Sequence, residues 1–202
     1  MSQYTPATIR DILDWIEQGK LILPSMQRNY VWSPQKICDL FDSLASGYPI
    51  GTFLFWCVNK EKTKELVFNK FIGCYDESNP IQRGEAVIAK LDEYFAVLDG
   101  QQRITSLNIG INGRMHLRKK KRSTKFVDKF LALNVFHDTE ATDGEATNHY
   151  VFEFREAADL EVIPRIGEDG PVDYDKPFWV SVNKIAAPDF DENDFVDELD
   201  EK

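Results

Sequence analysis

Apolar residues recur every three or four positions in two early segments of the chain. The first segment, residues 9–16, predicts a helix capped by Thr8. The second, residues 37–44, follows Ser33-Pro34, a capping hydroxyl and a proline suited to the first helical position. Trp32 precedes this cap, and it is expected to pack on the helix as a core residue.

Short apolar and aromatic runs predict strands along the rest of the chain. In chain order they are residues 21–23, 52–58, 66–68, 86–88, 94–98, 130–136, 150–154 and 178–182. A turn is expected at Asn79-Pro80, and a polar loop is expected at 137–148. Early helices followed by scattered strands with long connections favour an α+β fold, with a mixed sheet and flanking helices.

The turn between the run at 94–98 and the helix that follows carries the strongest chemical signal. It reads Asp99-Gly100-Gln101-Gln102-Arg103, or DGQQR. A helix start offers free N–H groups and a positive dipole end, a glycine lets backbone approach a ligand, and an arginine can grip phosphate oxygens with two N–H groups. These features indicate a phosphate site. A structural interpretation stays open, because Asp caps helices and Gly forms turns in many proteins.

Three ordered motifs resemble the N-terminal domains of GmrSD-type restriction proteins, which belong to the ParB/sulfiredoxin-like superfamily. The motifs are ILPSMQRNYVWS at 22–33, LFDSL at 40–44 with GYPIG at 47–51, and VLDGQQRITSL at 97–107. The resemblance extends from residue 9 to about residue 113. It implies a ParB/sulfiredoxin-like domain that binds a nucleotide and hydrolyses it, within a DNA restriction or phage-defence protein.

The motifs supply the candidate site residues. The candidate catalytic residues are Asp99, Gln101, Gln102 and Arg103, and the candidate nucleotide-binding residues are Gln27, Arg28, Tyr30, Gly100 and Arg103. The expected ligand is a nucleoside triphosphate, with Mg²⁺ as a candidate companion ion, and Asp99 would either hold Mg²⁺ through water or accept a proton from water. The chain lacks the GxxxxGK[ST] phosphate loop, and no protein metal cluster is predicted, since its histidines lack metal-ligand spacing.

Several motif residues have two possible roles each. Arg28 and Arg103 would clamp a phosphate chain, or Arg28 would instead pair with Asp42 or Asp99. One of the two glutamines would position an attacking water and the other would satisfy backbone. Tyr30 would either stack on a base or lie in the core.

A basic run at 114–125 is the candidate nucleic-acid contact. It contains seven Lys and Arg residues and no acid, and its densest part is Arg118, Lys119, Lys120, Lys121 and Arg122. Such a run would release counterions on contact with a DNA backbone. A solvated loop, or pairing with acidic residues of the same chain, is the alternative.

The net charge of −10 is unevenly distributed. The last 17 residues carry −7, so the other 185 residues carry only −3. We therefore predict one domain over residues 1–185 and an acidic tail over 186–202, which would begin a further helical region. From about Asp189 onward the tail is expected to pack little on the domain.

Length and composition place the chain among globular cytoplasmic proteins. No apolar run is long enough to span a membrane, and three cysteines without metal spacing are expected to be reduced thiols, with Cys38 in the core. The expected partners are a nucleotide, DNA and a C-terminal nuclease domain or partner subunit, without a membrane. A non-hydrolytic DNA-binding module and, less favoured, a nuclease are the alternative functions.

Overall fold

The computed structural model describes residues 6–59, 66–79, 81–87, 93–120, 122–137, 149–167 and 170–200. The helices in these ranges are α1 (Ile9–Glu17), α2 (Pro34–Ala45), α3 (Gln101–Asn112), α4 (Val182–Ile185) and α5 (Glu192–Asp200). The strands are β1 (Leu21–Pro24), β2 (Leu54–Asn59), β3 (Phe68–Asn69), β4 (Cys74–Asp76), β5 (Ala86–Val87), β6 (Glu93–Asp99), β7 (Arg114–Arg118), β8 (Phe126–Asn134), β9 (Phe152–Glu156) and β10 (Trp179–Ser181). A 3-10 turn at Ala157–Asp159 follows β9.

The strands form two sheets that both mix parallel and antiparallel pairs. The first has the order β2-β6-β1-β3-β5, and only its β1–β6 pair is parallel among the described pairings. The second has the order β10-β8-β7-β4, with β9 also paired to β8 and with a parallel β4–β7 pair. The α+β class is thus confirmed. The narrower ParB/sulfiredoxin-like assignment stays a prediction.

The predicted helix starts are confirmed at their caps. The Thr8 hydroxyl accepts a hydrogen bond from the Asp11 N–H, and the Asp11 carboxylate accepts one from the Thr8 N–H, which completes a capping box. The Ser33 hydroxyl accepts from the Lys36 N–H, with Pro34 in the first helical position. α1 and α2 therefore begin where local sequence favours a helix.

Helix α3 joins the hydrophobic cores of the two sheets. Ile104 packs in one cluster with residues of α1, β1 and β6, whereas Leu107 and Ile109 pack in another with residues of α2 and β8. All three side chains are fully buried. Burial on several sides fixes α3 firmly, and its N-terminus is held at the end of β6.

Several details differ from the sequence-based expectations. The apolar pattern does not predict β4 or β7, because only Met115 and Leu117 point to a strand within the basic run. Pro80, Ile88 and residues 138–148 lie outside the described residues. Burial raises the pKa of Cys38 to about 12, so its thiol is a protonated core group, as expected.

The acidic tail packs more closely than predicted. The ring of Phe195 stacks on the buried ring of Phe178 with 6.4 Å between centroids, and Phe190 lies 5.7 Å from Phe195. The ammonium of Lys184 lies 5.1 Å from the Phe195 ring centroid. The expectation of a tail with little packing from Asp189 is therefore wrong, because apolar positions of α5 meet aromatic groups of the domain. The domain boundary at residue 185 itself stays a prediction.

Candidate functional site

The three motifs meet at the junction between β6 and α3. Gly100 links the two elements with a φ of +93°, a conformation that favours glycine, and a Cβ there would lie 2.4 Å from the Phe53 ring. The loop that follows β1 crosses this junction, and the loop before β2 lies against it. Segments far apart in sequence therefore form one corner of the domain.

The glutamines of the motifs hold the loop after β1 in place. Gln27 donates its side-chain amide to the carbonyls of Val97 and Leu98 at the end of β6. Gln101 donates to the Arg28 carbonyl at 2.8 Å. These bonds fix the loop against the first turn of α3, so Gln27 acts here as a structural residue.

Gln102 is bound at both ends of its amide. Its Oε1 accepts from the Val31 N–H at 2.9 Å, its Nε2 donates to the Asn29 carbonyl at 3.2 Å, and only 7% of the residue is exposed. These two hydrogen bonds give Gln102 a structural use, and its catalytic role stays a prediction. Of the two glutamines, Gln101 keeps an Oε1 with no partner among the described residues.

Arg103 is engaged by the loop before β2. Its guanidinium donates to the carbonyls of Ile50 at 2.5 Å and Thr52 at 2.9 Å, and it pairs with Asp99 at 3.3 Å. Gly51, at a φ of +83°, makes room for it, because a Cβ there would lie 2.7 Å from the guanidinium. The predicted two-pronged grip of Arg103 on phosphate conflicts with these contacts, since they already occupy the fork.

Arg28 places a positive charge beside the junction between β6 and α3, where it is free to bind a ligand. Its side chain is exposed, and its guanidinium makes no ion pair or hydrogen bond with any described residue. The alternative pairing with Asp42 or Asp99 is therefore wrong: Asp42 accepts from the Tyr150 N–H at 2.8 Å, and Asp99 pairs with Arg103. Because Gln101 holds the Arg28 carbonyl, the residue is anchored while its charge stays free.

An open cleft of about 340 Å³ occupies the corner. It is lined by residues of the first and third motifs: Gln27, Arg28, Trp32, Leu98, Asp99, Gly100, Gln101, Gln102 and Arg103. The side chain of Asp99 is 72% exposed there. The volume lies within the range of small-molecule sites.

Tyr30 lies in the core and not in this cleft. Only 3% of the residue is exposed, its hydroxyl shares a 2.8 Å hydrogen bond with the Ser106 hydroxyl, and its ring packs edge-on to Tyr75. Burial raises the pKa of the Tyr30 hydroxyl. Stacking of Tyr30 on a base is therefore contradicted. Trp32, expected in the core, is instead half-buried and lines the cleft.

The structure divides the basic run. Arg118 pairs with Glu77, directly after β4, and Lys119 pairs with Glu156, at the end of β9, at 3.2 Å, so these acids neutralise part of its charge. Lys120 and Arg122 are exposed and have no partner among the described residues, whereas Lys121 lies outside them. The described part of the run thus comprises β7 and residues between β7 and β8, and none of it lines the cleft.

The described residues show neither a cluster of metal ligands nor a membrane-spanning helix. Within the described ranges, no His, Cys, Asp or Glu side chains form a group of three or more that could hold a metal ion. None of the helices in those ranges is both long and apolar enough to cross a lipid bilayer.

The fold and the site define an α+β domain whose characteristic motifs form one cleft at a helix N-terminus. The chain belongs to the family of GmrSD restriction endonuclease N-terminal domains, whose profile matches residues 9–182. It is also 37% identical over 101 residues to the uncharacterized protein MJ0686 of Methanocaldococcus jannaschii. That match covers 48% of this chain and 16% of the relative, so the chain spans a small part of that protein's length.

Proposed function

We propose that the cleft binds a nucleoside triphosphate and hydrolyses it, as a nucleotide-dependent module of a DNA restriction or phage-defence protein. One observation carries the proposal. Two motifs about seventy residues apart line a single cleft, and it contains an unpaired arginine, a helix N-terminus and an exposed carboxylate. A C-terminal nuclease domain or partner subunit would be controlled by this module.

The phosphate chain is assigned to the N-terminus of α3. No side chain caps this helix, and the N–H groups of Gln101, Gln102 and Arg103 have no acceptor among the described residues. Unpaired N–H groups and the helix dipole favour an anion at this position. Arg28 adds a full positive charge with several donors, which suits the oxygens of a polyphosphate.

Asp99 and Gln101 are assigned to the hydrolytic step. A carboxylate beside phosphates is unfavourable unless it accepts a proton or holds a cation, so its position at the cleft suggests a chemical role. One Asp99 oxygen pairs with Arg103, and the other has no partner among the described residues. Mg²⁺ fits this site, since it commonly binds one carboxylate together with substrate phosphates. Asp99 and the free Oε1 of Gln101 would orient the attacking water.

Asp99→Asn separates binding from hydrolysis. It removes the charge but keeps the size of the side chain, so we expect phosphate release to fall at least tenfold while nucleotide affinity stays within about threefold. The melting temperature should change little, because an exposed ion pair contributes about 0–1 kcal/mol. Phosphate release and affinity are measured on the same preparation, and Asp42→Asn, outside the cleft, serves as control. Full turnover in Asp99→Asn would contradict the assignment.

Non-hydrolytic DNA binding is the second candidate function. It is favoured by the exposed and unpaired charges of Lys120, Arg122 and Lys125 beside and within the β7–β8 turn. These groups can contact phosphates without base specificity, whereas the paired Arg118 and Lys119 would first have to leave their acids. A nuclease is less favoured, because Asp99 is the one carboxylate among the described residues that line the cleft.

Reversal of the free charges tests DNA contact at this turn. For the double variant Lys120→Glu with Arg122→Glu, we expect weaker binding of a 20-base-pair duplex. The slope of log affinity against log salt concentration should be smaller in magnitude by about 2, since each phosphate contact contributes about 0.9 to it. Binding is measured by fluorescence anisotropy between 50 and 200 mM salt. The matched control reverses two exposed lysines elsewhere, Lys20 and Lys36. Equal loss in the control would show that the effect is overall charge and not this turn.

A further inference from the structure

Trp32 is the aromatic residue of the cleft. It is half-buried, with apolar contact to the core cluster on one side and the cleft on the other. No ring contact or hydrogen bond joins it to another described residue, so both its free ring surface and its indole N–H are available. A tryptophan that keeps such a surface in a polar cleft offers a stacking platform for a flat ligand.

The backbone on each side of Trp32 is anchored. Val31 donates its N–H to Gln102 at 2.9 Å in the first turn of α3, and Ser33 caps α2. The backbone of Trp32 is therefore held beside the first turn of α3, and its side chain lines the same cleft as the helix N-terminus that is assigned to the phosphates. Little conformational entropy would be lost when a ligand binds to a platform that is already fixed.

The other described tryptophans are placed differently. Trp15 packs against Phe55 and Phe95, and Trp179 is buried beneath Arg155. Trp56 is 42% exposed on the edge strand β2, but it does not line the cleft. The position of Trp32 thus combines an accessible ring with the charged groups of the site, and Trp56 provides a matched control.

We propose that Trp32 stacks on the base of the bound nucleotide, which makes the ligand a nucleotide and not an inorganic polyphosphate. The half-exposed Leu98 supplies further apolar surface in the same cleft. Base–aromatic stacking tolerates every base, so Trp32 contributes affinity without selecting one base strongly. This inference rests on the proposed nucleotide site and adds the part of the ligand that lies beyond the phosphates.

The test compares ATP, GTP, CTP and UTP with inorganic tripolyphosphate, which has no base. The wild-type chain should bind its best nucleotide at least tenfold more tightly than tripolyphosphate. Trp32→Leu should weaken nucleotide binding about 5- to 150-fold, the range for loss of one base stack, and change tripolyphosphate binding by less than twofold. Trp56→Leu should leave both affinities unchanged.

A second measurement does not depend on the folding of Trp32→Leu. The best nucleotide should quench intrinsic fluorescence and tripolyphosphate should not. That quenching should disappear in Trp32→Phe, which still binds the nucleotide, and persist in Trp56→Phe.

The contradicting results separate the two proposals. Equal wild-type affinity for nucleotide and tripolyphosphate, or equal weakening of both by Trp32→Leu, would overturn the role of Trp32 and leave a phosphate site in place. Quenching that persists in Trp32→Phe would also overturn it. Binding of neither probe by the wild-type chain would overturn the proposed function itself.

Discussion

Arg28→Ala is expected to weaken nucleoside triphosphate binding about a hundredfold while the melting temperature stays within about 1 °C of the wild-type value. The side chain of Arg28 is exposed and its guanidinium makes no ion pair or hydrogen bond with a described residue, so its removal costs the folded domain little. A charge-assisted hydrogen bond to phosphate contributes about 1.5–3 kcal/mol, and an arginine can form two. Affinity is measured by calorimetric titration and stability by thermal unfolding.

The control for Arg28→Ala is Arg122→Ala. Both arginines are exposed and lack partners among the described residues, but Arg122 lies in the β7–β8 turn and not in the cleft. Arg122→Ala should therefore keep wild-type affinity for the nucleotide. Unchanged affinity in a folded Arg28→Ala protein would contradict the assignment of the phosphates to this corner.

Arg103→Ala is expected to act mainly on stability. The substitution leaves the carbonyls of Ile50 and Thr52 without their donor and removes the ring contact with Phe53, where the guanidinium lies 4.9 Å from the centroid. Loss of these two hydrogen bonds, one partly buried and one exposed, together with the ring contact costs about 2–3 kcal/mol, which lowers the melting temperature by roughly 5–10 °C in a protein of this size. Thermal and urea unfolding measure the change.

Arg103→Lys refines the interpretation. Lysine keeps the charge but lacks the planar guanidinium that reaches two carbonyls and a carboxylate together. We therefore expect Arg103→Lys to lose about half as much free energy of unfolding as Arg103→Ala. Below the melting transition, Arg103→Ala should bind nucleotide within about fivefold of wild type. An unchanged melting temperature together with lost binding would instead assign Arg103 to the phosphates.

The local elements were predictable because short-range chemistry determines them. The caps at Thr8 and Ser33 and the apolar pattern of α2 mark helices within one segment of sequence. β7 was not predicted, since Arg114 and Arg118 bound it and Lys119 and Lys120 follow, which hides the strand around the buried Met115. The acids that pair with the basic run, Glu77 and Glu156, lie far from it in sequence, so local sequence does not show that part of its charge is neutralised.

The sequence motifs indicated which residues line the candidate cleft, but not the contacts that each of them makes. Arg28 and Arg103 both lie in the motifs, so the sequence does not distinguish their roles. The three-dimensional structure shows that the guanidinium of Arg103 already donates hydrogen bonds to two backbone carbonyls. Every residue has a backbone carbonyl, so residue identity does not reveal which carbonyl accepts a side-chain hydrogen bond. For the same reason the sequence does not show that the Gln102 amide binds the Asn29 carbonyl. Tyr30, for which both base stacking and core placement were open, lies in the core with a hydroxyl partner in Ser106, whereas Trp32 packs on the core and also lines the cleft.

The central claim is that the cleft at the N-terminus of α3 binds a nucleoside triphosphate. Calorimetric titration of the 202-residue chain with ATP, GTP, CTP and UTP, each with and without Mg²⁺, tests it most directly. The account predicts saturable 1:1 binding of at least one nucleotide, weakened about a hundredfold in Arg28→Ala and retained in Asp99→Asn. Absence of saturable binding for every nucleotide up to millimolar concentration, with the chain folded, would contradict it.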